Sequence, residues 1–142
     1  MAESGMYTFL LADDEEVIRE LILEGISEWN HRNPACGFTV IPANDGHEGI
    51  SLFQANMQRV DAVLTDINMK PRSGVDLINY VHANRPAVVC FGMSAGLFAL
   101  EDQVNSLRSD GTLKDLFNKP FSPFSALYDA LDAIYNAIPQ RE

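Results

Sequence analysis

Leu64–Gly74 reads LTDINMKPRSG. One acid, Asp66, stands where the apolar run Ala62-Val63-Leu64 gives way to Asn, Lys, Pro, Arg, Ser and Gly. A run of that kind has the character of a buried strand, and an unpaired carboxylate is costly to bury. Asp66 must therefore sit at the solvent-facing mouth of a sheet or meet a partner there. The rest of the chain supplies the candidates.

Working outward, strand-like and helix-like segments alternate. "YTFLLA" (7–12) reads as a short buried strand, and "EEVIRELILEGISEWNH" (15–31) places Val17, Ile18, Leu21, Ile22, Ile26 and Trp29 at helical spacing. After the punctuation "NPACG", "FTVIPA" (38–43) is a second strand, and the turn "NDG" leads into the helix-like "HEGISLFQANM" (47–57). "DAVLTDI" (61–67) and "AVVCFGMS" (87–94) are strands three and four, followed by helices "GVDLINYVHAN" (74–84) and, more weakly, "FALEDQVNSLRS" (98–109). "LKDLFN" (113–118) is strand five. In "PFSALYDALDAIYNAI" (123–138), Phe124, Leu127, Tyr128, Leu131, Ile134, Tyr135 and Ile138 form one apolar stripe, with Asp129 and Asp132 off it. Five such pairs predict an α/β fold with a parallel sheet covered on both faces, since parallel strands need crossovers. Ligands of open sheets of this kind gather beyond the carboxyl ends of the strands.

The bulk numbers narrow the function. A chain of 142 residues, 46% hydrophobic, suits one domain spanning 1–142 with an ordered core over about 7–138. Twenty acids against ten Lys and Arg leave a net charge of −10, and no basic stripe is available for nucleic acid or an anionic membrane. The start lacks the basic and small-residue features of a signal peptide, and no apolar run approaches the ~18 residues of a membrane span, so a cytoplasmic location is expected. Cys36 and Cys90 lack metal-ligand spacing and read as free thiols. His31, His47 and His82 are scattered, without paired ligand spacing.

The chemistry-bearing residues stand at the carboxyl ends: Asp13 and Asp14 after strand one, Asp66 after strand three, Ser94 at strand four and Lys119 after strand five. Each alone has a structural explanation, as a helix cap or a solvated charge. Together they do not, because two carboxylates about 5 Å apart repel by roughly 3 kcal/mol at an effective dielectric near 20. Hard oxygen ligands in such a group suit Mg²⁺. Glu15 and Glu16 suit the first turn of a helix electrostatically and are assigned nothing further.

The motifs "LLADDE", "VLTDINMKPRSGVDLI", "FGMSA" and "NKPF", in this order, resemble the receiver domain of two-component response regulators, from about Tyr7 to Ile138. The resemblance implies a flavodoxin-like (βα)5 sandwich with strand order 2-1-3-4-5. It implies that Asp66 accepts a phosphoryl group from a histidine kinase or histidine phosphotransfer protein. It implies Mg²⁺ bound directly by Asp14, largely through water by Asp13, and by Asp66 and the backbone carbonyl of Asn68. Ser94 and Lys119 would take phosphoryl oxygens. With the chain ending at Glu142, a stand-alone switch is expected, a changed surface being read by a downstream effector protein. Such a protein assists its own phosphorylation and dephosphorylation but is not otherwise an enzyme.

Three features depart from the family pattern. Lys70 stands where a proline is usual, followed by Pro71; it could approach the phosphate or a partner, but a solvated ammonium is the simpler reading. Leu116 replaces the aromatic three residues before the lysine, and Phe117 points to the opposite face of the strand. The interval from Asp14 to Asp66 is long. The last helix also contains no Lys or Arg, which disfavours pairing through charges on the fourth and fifth helices and favours a monomer. Two other functions are compatible with parts of the pattern. One is an interaction module that works unphosphorylated. The other is a Mg²⁺-dependent phosphatase with an aspartate nucleophile, although "ADDEEV" puts Glu15 where such enzymes carry their second aspartate.

Overall fold

The computed structural model describes residues 6–96 and 98–139. Five strands, β1 (Met6–Ala12), β2 (Gly37–Ala43), β3 (Val60–Asp66), β4 (Val89–Ser94) and β5 (Leu113–Asn118), form one parallel sheet in the order β2-β1-β3-β4-β5. Helices α1 (Glu16–Arg32), α2 (Gly46–Ala55), α3 (Gly74–Asn84), α4 (Glu101–Ser109) and α5 (Ser125–Ala137) connect and follow them. The expected fold and strand order are both present. The weak fourth helix begins as a 3-10 turn, Phe98–Leu100, and buries only Val104 and Leu107.

Alternating side chains of each strand feed two cores. Tyr7, Phe9 and Leu11 of β1 meet Ile22, Ile26 and Trp29 of α1 and Leu127, Leu131 and Ile134 of α5. Leu10 and Ala12 face the other way, toward Leu77, Ile78 and Val81 of α3 and Val104 of α4. The stripe read in the last helix is thus the buried one. Asp132, off the stripe, accepts a hydrogen bond from the Trp29 indole at 2.9 Å and ties α5 to α1. On β5 the expected separation of faces holds. Phe117 stacks on Phe91 with ring centroids 5.8 Å apart, whereas Leu116 joins the opposite core.

The register brings strand ends level: Asp66 lies beside Met93, and Ser94 beside Asn118. Beyond Asp66 the chain must turn back into α3. The Gly74 amide donates to the Ile67 carbonyl at 2.8 Å, and Ser73 and Asp76 cap the helix reciprocally. A Cβ on Gly74 would collide with the Asp66 carbonyl oxygen and stand 2.9 Å from Ile67 Cα. Both neighbours are backbone and cannot rotate away. Gly74→Ala is therefore expected to cost about 1–3 kcal/mol, read as a lower urea midpoint. A midpoint equal to that of the parent would show that the loop has room to shift.

Candidate functional site

The loop after β1 is held by its own polar groups. Asp13 Oδ1 accepts from the Glu15 amide at 2.8 Å, the Asp13 amide donates to the Ala43 carbonyl at 3.2 Å, and Arg19 Nη1 donates to the Asp13 carbonyl at 2.7 Å. These bonds bury Asp13 completely and leave Asp14 and Glu15 exposed. Asp66, at the end of β3, is 4% exposed. From the end of β5, Lys119 reaches across the strand ends, with Nζ 3.0 Å from Asp66 Oδ2 and 3.2 Å from Asp13 Oδ2; it also pairs with Glu15 Oε1. Its own side chain is buried. Sequence reasoning placed Glu15 only in the helix's first turn, and the structure corrects that. Glu15 is an ion-pair partner of Lys119, a role signalled by its place as the third consecutive acid after β1.

Carboxylate oxygens of Asp13, Asp14, Glu15 and Asp66 lie within 4.8 Å of one another, and no histidine joins the cluster among the described residues. One ammonium faces four carboxylates. The imbalance shows in the ionisation of the group. Burial raises the Asp66 carboxyl to about 6; Lys119 opposes the rise, while Asp13 and Asp14 add to it. Burial likewise pushes Asp13 up, against the Glu15 amide and Lys119. For Lys119 burial favours the neutral amine, but its pairs with Glu15, Asp66 and Asp13 outweigh that and raise its pKa. Asp13 Oδ2 is buried and has no hydrogen bond, although the ammonium stands nearby. An acceptor left in that state is suited to a further cation.

A cavity of about 330 Å³ opens over the cluster, lined by Asp14, Glu15, Asp66, Asn68, Ala95, Gly96 and Lys119. Asp13 lies beneath it. Ser94 is buried behind the cavity: its hydroxyl donates to the Gly96 carbonyl at 2.6 Å and accepts from the Gly96 amide at 2.9 Å. The Asn68 side-chain amide donates to the same carbonyl. The structure thus brings Asp13, Asp14, Asp66, Asn68 and Lys119 to one site and holds Ser94 at the adjoining end of β4.

The raised Asp66 pKa has a sign that can be checked. A carboxyl whose folded-state pKa exceeds its unfolded value near 3.8 binds its proton more tightly when folded, so it contributes stability that is present at low pH and lost as pH rises toward about 6. In metal-free buffer, the stability of Asp66→Asn relative to the parent is expected to increase from pH 4 to pH 6 and then level off. Urea denaturation at stepped pH measures it. A difference that stays flat or runs the other way would mean that Asp66 is fully compensated by Lys119.

Comparison with known proteins agrees with this architecture. The family model for the response regulator receiver domain matches residues 9–132. Among curated relatives, the probable transcriptional regulatory protein TcrX of Mycobacterium tuberculosis is 28% identical over 121 residues, 85% of this chain and 47% of its own length. The transcriptional regulatory protein HptR of Staphylococcus aureus is 40% identical over 76 residues, 52% of this chain and 27% of its own length. The chain spans less than half the length of either relative. Among solved structures, a response regulator receiver domain protein from Clostridium thermocellum aligns over 93% of this chain and 94% of its own, at 25% identity and a TM-score of 0.75. The fold is also that of the response regulator TrrA from Thermotoga maritima in complex with Mg²⁺-BeF, at 22% identity and a TM-score of 0.71, covering 91% and 99% of the two chains. With strand order, acidic cluster and family match in agreement, the chain belongs to the response regulator receiver domain family.

Proposed function

We propose that this receiver is a phosphorylatable switch in which Asp66 is the phosphoacceptor. The observation that carries the reading is the ion pair of Lys119 with Asp66 at 3.0 Å in a cavity that Asp14 and Glu15 also line. An aspartate carboxylate is a competent nucleophile toward phosphorus. Its oxygen forms the new P–O bond, the bond from phosphorus to the donor breaks, and the electron pair leaves with the donor group. Lys119 orients the carboxylate and supplies positive charge beside the transferring oxygens. The donor is a phosphohistidine of a histidine kinase or histidine phosphotransfer protein.

The donor set fits Mg²⁺: hard carboxylate oxygens on Asp13, Asp14 and Asp66, one of them the unsatisfied Asp13 Oδ2, with the Asn68 carbonyl completing the protein ligands. Bound there, Mg²⁺ would neutralise phosphoryl oxygens. Arg19 and the Glu15 amide act on Asp13 from behind, fixing the loop that presents Asp14. Ser94 gives the output. Its hydroxyl now serves the Gly96 backbone, and a phosphoryl oxygen competes for it, freeing the β4–α4 loop to rearrange. The changed surface is read by an effector protein. The net charge of −10 argues against docking of this receiver to nucleic acid or to an anionic membrane; among the described residues no helix is long and apolar enough to cross a membrane.

Acetyl phosphate with Mg²⁺ should add one phosphoryl group to the protein, detected by intact mass, and Asp66→Asn should take none. Label found on another residue of that variant would move the acceptor elsewhere.

Mg²⁺ alone should raise the melting temperature, because a ligand held at about a hundred times its Kd stabilises the folded state by about 2.7 kcal/mol. Asp14→Asn should blunt that rise. An undiminished shift in the variant would remove Asp14 from the metal site.

A further inference from the structure

Lys119 is saturated by its three carboxylates, but a second cation stands beside the site without such a partner. Lys70 makes no ion pair among the described residues, in a chain with twice as many acids as Lys and Arg. It lines a separate cavity of about 370 Å³ with Asp14, Asn68, Met69 and Leu100. Asp14 and Asn68 line both cavities, so the two adjoin. The linings differ in charge balance: the first sets three acids, Asp14, Glu15 and Asp66, against the paired Lys119, while the second sets Asp14 alone against the exposed Lys70 and adds the apolar side chains of Met69 and Leu100. An ammonium beside an apolar wall is complementary to a short-chain carboxylate.

We propose that the Lys70 cavity is a leaving-group subsite for small acyl phosphates, and that Lys70 favours, among the small-molecule donors that act beside the protein phosphohistidine, those that release a carboxylate. The proposal rests on Asp66 being the phosphoacceptor. In the transfer, an Asp66 oxygen bonds to phosphorus, the bond from phosphorus to the acyl oxygen breaks, and its electron pair stays on that oxygen. The acyl group departs as a carboxylate without needing a proton. Charge grows on the departing oxygen, where Lys70 attracts it, and Met69 and Leu100 cover the alkyl end. A donor whose leaving group departs as a neutral amine gains nothing from this cation.

The test compares second-order rate constants for labelling by acetyl phosphate and by phosphoramidate, which releases ammonia, at saturating Mg²⁺. In Lys70→Ala the acetyl phosphate to phosphoramidate ratio should fall about three- to fivefold, the size expected of an exposed charge pair. Lys70→Arg should restore the ratio, and high salt should shrink the difference. An unchanged ratio in Lys70→Ala, or no recovery with arginine, would overturn the subsite. A second measurement needs no turnover. Acetonylphosphonate, an unreactive acyl phosphate analogue, titrated into Mg²⁺-loaded Asp66→Asn should move the Met69 and Leu100 methyl resonances, and less so when Lys70→Ala is added. Methyl resonances that stay still would also overturn it. If the parent protein took label from neither donor, the phosphoacceptor assignment would fail and the subsite with it, whereas labelling at Asp66 with a donor ratio indifferent to Lys70 would overturn the subsite alone.

Discussion

A buried ammonium ringed by carboxylates governs this molecule. Lys119 crosses the strand ends to meet Asp66 and Asp13, both out of water, and Glu15 at the rim. Burying charge carries a large desolvation penalty that is recovered only with close partners. The lysine has them. The acids share that one cation among four, and burial pushes Asp13 and Asp66 toward their protonated forms. The site therefore stores electrostatic repulsion that further positive charge would relieve.

The fold exists around that edge. Parallel strands bring their carboxyl ends level, so residues separated by 53 and 106 positions meet through one lysine. The loops are held close by small residues and backbone bonds rather than by bulk. Gly74 allows α3 to start against the Asp66 carbonyl, and the Asp13 turn is closed by its own carboxylate. Away from this edge the two apolar cores carry the folding free energy.

The two loops beside Asp66 are tied to each other. The Gly96 carbonyl accepts from both Ser94 and Asn68, so the end of β4 and the loop after β3 share one backbone acceptor. A ligand competing for Ser94 acts on both segments at once. Leu116 lies inward, its Cδ1 close enough to stand 3.1 Å from a Cβ built on Gly92. No aromatic ring stands at that position, and the neighbouring ring of Phe117 packs on the opposite face against Phe91.

Much of this was legible without coordinates. Apolar runs alternating with 3.6-residue stripes identify the five strand–helix pairs, because buried parallel strands and amphipathic helices impose different periods on the same chain. The order of acids, hydroxyl and lysine at the strand ends carried the family resemblance and named Asp13, Asp14, Asp66, Ser94, Asn68 and Lys119. Tertiary structure alone decided how those groups pair. Glu15 could be read as a helix-start acid because its partner lies 104 residues away, beyond any local pattern. Ser94 stands at the site in sequence yet spends its hydroxyl on Gly96, a choice set by the loop's path. Lys70 reads as an ordinary solvated lysine until the packing of Met69 and Leu100 encloses a cavity beside it. Periodicity and residue type determine which elements form and where their ends lie; only the closed fold sets distances between ends, and on those distances burial, pairing and charge depend.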